Sequence, residues 1–215
     1  MMPLGKYRYI VVEGPIGVGK TSLATRLADH ADAQILLEKP QENPFLTRYY
    51  DDTARYALPT QLFFLFQRIN EVRDLAQMDM FHSRTIADYL FEKDALFARL
   101  TLSDEEYKLY QTIYTSLAPQ APAPDLVIYL QASTDALIER VRRRGNRYER
   151  SITDDYLSRL ANSYGEFFHH YEEAPVLVVN SERLNFVDNA DDFNLLLDRI
   201  GRMRGQREYF NVGAD

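Results

Sequence analysis

The chain has 215 residues, 46% hydrophobic and 27% charged, a balance that excludes disorder and allows one α/β domain with a sizeable core. Its formal charge of −7 supplies no global positive field, so no polynucleotide or anionic membrane is expected as a partner, and any phosphate site must be a local cluster of basic groups. There is no cysteine for disulfides or thiolate metal sites, no signal peptide and no run of about 18 apolar residues, so a cytoplasmic location is expected.

Short apolar segments alternate with longer stretches of helical period, the pattern of a parallel sheet covered on both faces. The first strand is expected over residues 7–13. Directly after it, Gly14-Pro15-Ile16-Gly17-Val18-Gly19-Lys20-Thr21 fits G-x-x-x-x-G-K-[ST], followed by a helical pattern at 22–30. The glycines let the backbone turn its N–H groups toward an anion, Lys20 can reach β- and γ-phosphates, and Thr21 can offer its hydroxyl to Mg²⁺. ATP or GTP binding follows. What the nucleotide is for does not, because switches, motors and small-molecule kinases share the motif.

A second strand over 34–38 ends on Glu38, a carboxylate at the carboxyl end of a strand beside the phosphate loop, where open α/β sheets bind ligands. In the helix expected over 59–78, Gln61 and Arg68 lie two turns apart and share one face amid aromatics. Those aromatics are expected mainly in the core, because a long helix in a small domain must bury a stripe. A third strand is placed at 84–88 and helices at 91–100 and 104–117, the latter opened by Ser103-Asp-Glu-Glu106 in the manner of a capping box. Proline-rich residues 119–124 lead into a fourth strand at 126–130 and a helix at 134–144.

Residues 140–150 hold six arginines within eleven positions of an otherwise acidic chain. Arg140, Arg144 and Arg147 fall on one helical face and Gly145-Asn146 lets the helix break into a loop, an arrangement suited to a lid over phosphates; a solvated basic face is the alternative. A helix at 153–171 ends on His169-His170, which have no partner at metal-ligand spacing and are expected at the surface or in packing. A fifth strand at 176–180 and a helix at 190–204 complete a single domain over 1–204, and 205–215 is expected to be a polar tail.

From the phosphate loop to about residue 180 the chain resembles the deoxynucleoside kinase family, bacterial deoxyguanosine and deoxyadenosine kinases in particular. The resemblance implies a three-layer α/β fold with a five-stranded parallel sheet flanked by helices and an arginine-rich lid. It implies that Glu38, in Glu-Lys-Pro-Gln-Glu-Asn-Pro-Phe, accepts the proton of a deoxynucleoside 5′-hydroxyl, although Lys39 here precedes the proline that more often follows the glutamate. By the same resemblance Gln61, Arg68 and Asp94 hold the nucleobase, Tyr50 and Glu149 contact the sugar 3′-hydroxyl, Arg140 and Arg144 bind the phosphates, and Asp88 supports Mg²⁺ with Thr21. The family's third-strand motif has arginine after its acid, where this chain has Tyr89; Arg84 or a lid arginine would have to substitute. A displaced register, His82-Ser-Arg84-Thr85, puts the downstream aspartate out of step. The family also implies a homodimer paired through long helices.

Three readings follow. The first is an ATP- and Mg²⁺-dependent deoxynucleoside kinase of nucleotide salvage, purines favoured. The second is a nucleoside monophosphate kinase, whose acceptor phosphate Glu38 would repel. The third is a noncatalytic P-loop homologue acting as a regulator or assembly subunit, against which the intact phosphate loop and Glu38 speak.

Overall fold

The computed structural model describes residues 4–78, 84–117 and 122–212. The strands are β1 (Tyr9–Glu13), β2 (Gln34–Leu36), β3 (Thr85–Ala87), β4 (Leu126–Gln131), β5 (Val176–Asn180) and β6 (Arg207–Phe210). They form one sheet in the order β2-β3-β1-β4-β5-β6, with every neighbouring pair parallel. The helices are α1 (Lys20–Ala31), α2 (Leu46–Asp51), α3 (Thr53–Met78), α4 (Lys93–Thr101), α5 (Asp104–Leu117), α6 (Thr134–Arg144), α7 (Asp154–His170) and α8 (Ala190–Arg202). None of the described helices is long and apolar enough to cross a membrane.

The central strands β1, β4 and β5 are largely apolar because both faces of the sheet are covered there. Side chains alternate: Ile10, Val12, Ile128, Leu130, Leu177 and Val179 pack with α1 and α8 through Leu23, Leu27, Leu196 and Ile200. Val11, Val127, Tyr129, Val176 and Val178 point the other way, against Leu160, Tyr164 and Phe168 of α7. Burying each such aliphatic side chain contributes about 1.5–3 kcal/mol, so the two faces supply most of the driving force. A third cluster lies beside the sheet, where α2, α3, α4 and α5 pack through Leu46, Leu65, Ile69, Ala98 and Tyr110. It forms one wall of the cleft described below.

The sheet has six strands where five were expected. Residues 207–210 are not tail but an edge strand, registered against β5 from Val176↔Arg207 to Val179↔Phe210. Its polar residues are accommodated by specific bonds. Arg207 donates to the carbonyls of His169 (2.8 Å) and Tyr171 (2.7 Å), and Glu208 accepts from the amides of Arg204 and Gly205 at 2.8 Å each. The helices differ as well: α3 begins at Thr53, six residues ahead of Pro59, and α2 was not foreseen. The proline-rich expectation at 119–121 lies outside the described residues.

Candidate active site

Three strand ends and the start of one helix frame a cleft at the carboxyl edge of the sheet. The phosphate loop turns from β1 into α1 through left-handed glycines. At Gly14 (φ 149°) a Cβ would stand 2.4 Å from the Leu130 carbonyl oxygen, and at Gly17 (φ 87°) it would meet Val141 Cγ2 at 2.8 Å. Larger residues are therefore excluded by both conformation and space. Helix α1 has no acidic residue in its first turn and no side-chain cap, so its free N–H groups are left for an anion. Lys20 Nζ folds back onto the loop carbonyls of Gly14 (2.7 Å) and Pro15 (3.2 Å). Burial lowers the Lys20 pKa, with Glu13 opposing and Lys93 assisting that shift.

Thr21 donates its hydroxyl to Asp88 Oδ2 at 2.5 Å, and Asp88 Oδ1 accepts the backbone N–H of Glu38 at 2.7 Å. One aspartate at the end of β3 thus ties the phosphate loop to the segment that carries Glu38. A hydroxyl and a single carboxylate suit Mg²⁺, which keeps several waters and takes substrate phosphates as further ligands.

Glu38 divides its oxygens between two cations: Oε1 pairs with Arg68 Nη2, and Oε2 lies 3.2 Å from Lys93 Nζ. Burial works to raise its pKa, but Lys93, Arg68 and Lys20 prevail and hold the carboxyl well below the usual carboxylate range. Arg68 spends its other amino group on Asp94, which is fully buried and also accepts the Tyr110 hydroxyl. Gln61 shares that helix face, with its amide nitrogen 3.3 Å from Thr101 Oγ1 and its carbonyl oxygen unpartnered. Phe64, between them, lines the cleft with its ring 5.2 Å from the Arg68 guanidinium, whereas Leu65 enters the core and Phe66 is exposed. Of these aromatics, only Phe64 both lines the cleft and packs against the third cluster, and the buried stripe of this segment is aliphatic, contrary to the expectation that its aromatics lie mainly in the core.

Across the cleft, Arg144 at the end of α6 chelates Glu149 through Nε (3.0 Å) and Nη2. Tyr50 faces them from α2, its phenol pKa raised by burial. Arg140 stands elsewhere: it binds Ser181 Oγ (3.1 Å), the Ser181 carbonyl (2.8 Å) and the Val18 carbonyl (3.4 Å), on the far side of the phosphate loop. It lines a separate groove with Gly17, Val18 and Gly19. Arg142 faces solvent and pairs with Asp154, so part of the arginine run is a solvated face.

The structure therefore brings Lys20, Thr21, Glu38, Tyr50, Gln61, Arg68, Asp88, Arg144 and Glu149 to one cleft, with Asp94 directly behind Arg68. Arg84 does not substitute for the missing arginine. It precedes β3 at the opposite edge of the sheet, where its guanidinium binds the carbonyls of Tyr7 (2.9 Å) and Ala31 (3.4 Å). Of the displaced register, His82 and Ser83 lie outside the described residues, and Thr85 is the first residue of β3. Tyr89 supplies no cation there: its hydroxyl donates to Glu71 at 2.5 Å, its ring centroid lies 5.9 Å from both the Arg68 guanidinium and the Lys93 ammonium, and its pKa is raised by burial and by that carboxylate.

Two residues not foreseen from the sequence complete the site. Glu13, the last residue of β1, is fully buried and accepts from the amides of Gly14 (2.9 Å) and Leu90 (2.7 Å) and from the Tyr164 hydroxyl (3.0 Å). Lys93 lies 3.6 Å from it.

A family description for deoxynucleoside kinases matches residues 10–203, nearly the whole chain. The chain belongs to the deoxynucleoside kinase family. Among relatives of this kinase, deoxyguanosine kinase of Bacillus subtilis (strain 168) is 34% identical over 197 residues, covering 89% of this chain and 95% of the relative. Deoxyadenosine kinase of Lactobacillus acidophilus is 31% identical over 205 residues, covering 89% and 94% respectively. The fold of this kinase also matches that of deoxyadenosine kinase from M. mycoides with bound dATP, with a TM-score of 0.79 at 24% identity over 90% of this chain and 98% of the other.

Proposed function

We propose that this deoxynucleoside kinase transfers the γ-phosphoryl group of ATP to the 5′-hydroxyl of a purine deoxynucleoside, in the cytoplasm and as a homodimer. The observation that carries the reading is the station of Glu38. Its carboxylate stands between the phosphate loop and the wall formed by Gln61, Arg68 and Asp94, held by Asp88 through its backbone and by two cations through its oxygens. A nucleoside whose base lies on that wall would present its 5′-hydroxyl to Glu38, with Tyr50 and Glu149 near the sugar.

In this reading Glu38 accepts the hydroxyl proton while Lys20 and Arg144 stabilise charge spreading over the transferring group. Mg²⁺ held near Thr21 and Asp88 would offset charge on the β- and γ-oxygens. Arg140, hydrogen-bonded to the Val18 carbonyl, would act on the ATP side of the loop. The purine preference leans on relatives that carry the names deoxyguanosine and deoxyadenosine kinase. Homodimer formation leans on α3 and α5, which expose Phe66 and Leu109. A coupled ATP-consumption assay across the four deoxynucleosides and their monophosphates tests the reading: turnover is expected with deoxyguanosine or deoxyadenosine, and turnover confined to monophosphates would overturn it.

A further inference from the structure

We propose that Lys93 is the positioning residue for Glu38, its buried ammonium holding the proton acceptor toward the phosphate loop. This inference rests on the reading of Glu38 as the base.

Lys93 is 2% exposed, a burial that an ammonium tolerates only beside carboxylates. It has two, Glu38 Oε2 at 3.2 Å and Glu13 Oε2 at 3.6 Å. Glu13 is itself fixed to the phosphate loop by the Gly14 amide, to the turn before α4 by the Leu90 amide and to α7 by the Tyr164 hydroxyl. The Lys93 backbone is held in the same turn, its N–H donating to the Leu90 carbonyl at 3.3 Å. A continuous polar path therefore runs from Gly14 through Glu13 and Lys93 to Glu38, from the donor half of the cleft to the acceptor half.

Arg68 does not do the same work. It grips the other oxygen of Glu38 while bonded to Asp94, so it draws the carboxylate toward the nucleobase wall. Lys93 opposes that pull from the phosphate side. The remaining charged and titratable neighbours of Glu38 do not bond its side chain. Lys20 is engaged by the loop carbonyls, Asp88 takes the Glu38 backbone amide, and Glu71 is held by Tyr89; Tyr50, Tyr148 and Tyr164 also feel the Glu38 charge. With Lys93 neutralised, Arg68 alone would set the orientation of Glu38.

The test is a double-mutant cycle with Lys93→Met and Glu38→Gln, reading kcat together with the Kd of ATP and of the nucleoside. Lys93→Met is expected to lower kcat by about 10²-fold, the scale of a misplaced reacting group, with both Kd values within about threefold of wild type. In the Glu38→Gln background the same substitution should lower kcat by less than about threefold. A merely structural lysine would impose the same factor in both backgrounds, and that result overturns the proposal. Full kcat for Lys93→Met beside an impaired Glu38→Gln overturns it too, whereas full kcat for Glu38→Gln overturns the base reading itself.

The absence of cysteine from the chain provides a second arm should Lys93→Met not fold. Lys93→Cys, alkylated in denaturant and refolded, acquires a lysine-like ammonium with 2-bromoethylamine and a neutral chain of equal length with 1-bromopropane. The ammonium form is expected to regain at least about tenfold more kcat than the propyl form, and equal recovery overturns the proposal.

Discussion

Glu38, proposed above as the general base, has a basicity below that of an ordinary carboxylate, because Lys93, Arg68 and Lys20 outweigh its burial. In a loose phosphoryl-transfer transition state the hydroxyl proton leaves late, so the need is for an ionised acceptor held in line rather than a strong base. Glu38→Gln keeps size and reach but removes the proton acceptor. It should lower kcat by about 10²–10⁴-fold while the nucleoside Kd changes little, as single-turnover kinetics and a binding titration would show. Lys20→Ala should abolish most phosphoryl transfer, since its charge acts chiefly as negative charge develops; turnover within a few-fold of wild type would remove the phosphate-loop assignment. The sequence did hold a sign of Lys93. Leu90, Lys93, Asp94, Phe97 and Ala98 recur at helical spacing along a buried stripe, and two charges on such a stripe require partners. Arg84 misled because spacing does not say at which edge of the sheet a residue stands, although its place before β3 put it at the amino end.

At the scale of elements, β1, β4 and β5 were legible to within two residues because strands covered on both faces are uniformly apolar, a pattern that few other segments of this chain imitate. The edge strand β6 escaped for the converse reason. Only one side of it is paired, and Arg-Glu-Tyr-Phe carries no apolar run; its order comes from Arg207 reaching carbonyls far from it in sequence, and from Glu208 bonding the nearby Arg199, Arg204 and Gly205. Helix α2 is too short for its period to register, and its boundary with α3 rests on the single residue Asp52 between them. Removing residues 205–215 should therefore destabilise the protein rather than leave it unchanged. Arg207→Ala alone should cost about 2–4 kcal/mol through loss of two charge-assisted bonds to carbonyls, seen as a lower urea midpoint at constant slope.

For the molecule as a whole, net charge −7 surrounds a cleft whose cations have protein partners: Arg68 in Glu38 and Asp94, Arg144 in Glu149, Lys20 in loop carbonyls. Nucleotide binding should stabilise the folded chain by mass action. ATP with Mg²⁺ at about 100 times Kd should add about 2.7 kcal/mol and raise Tm by several degrees, and no shift in a thermal melt would contradict a competent phosphate loop. If the exposed faces of α3 and α5 pair, light scattering at micromolar concentration should give twice the chain mass of 25.1 kDa, and a monomer would refute the dimer.

The hydrogen bond from Tyr164 to Glu13 spans 151 positions of the sequence and ends on the residue that anchors the phosphate loop. The anchor is therefore incomplete until α7 has docked on the sheet, and such distant closures come slowly in folding. In refolding, nucleotide affinity should appear only with the last phase of α7 docking, well after compaction. During synthesis it cannot mature before most of the chain has emerged. The phosphate loop, residues 14–21, should then be among the last parts of the protein to be finished in folding time.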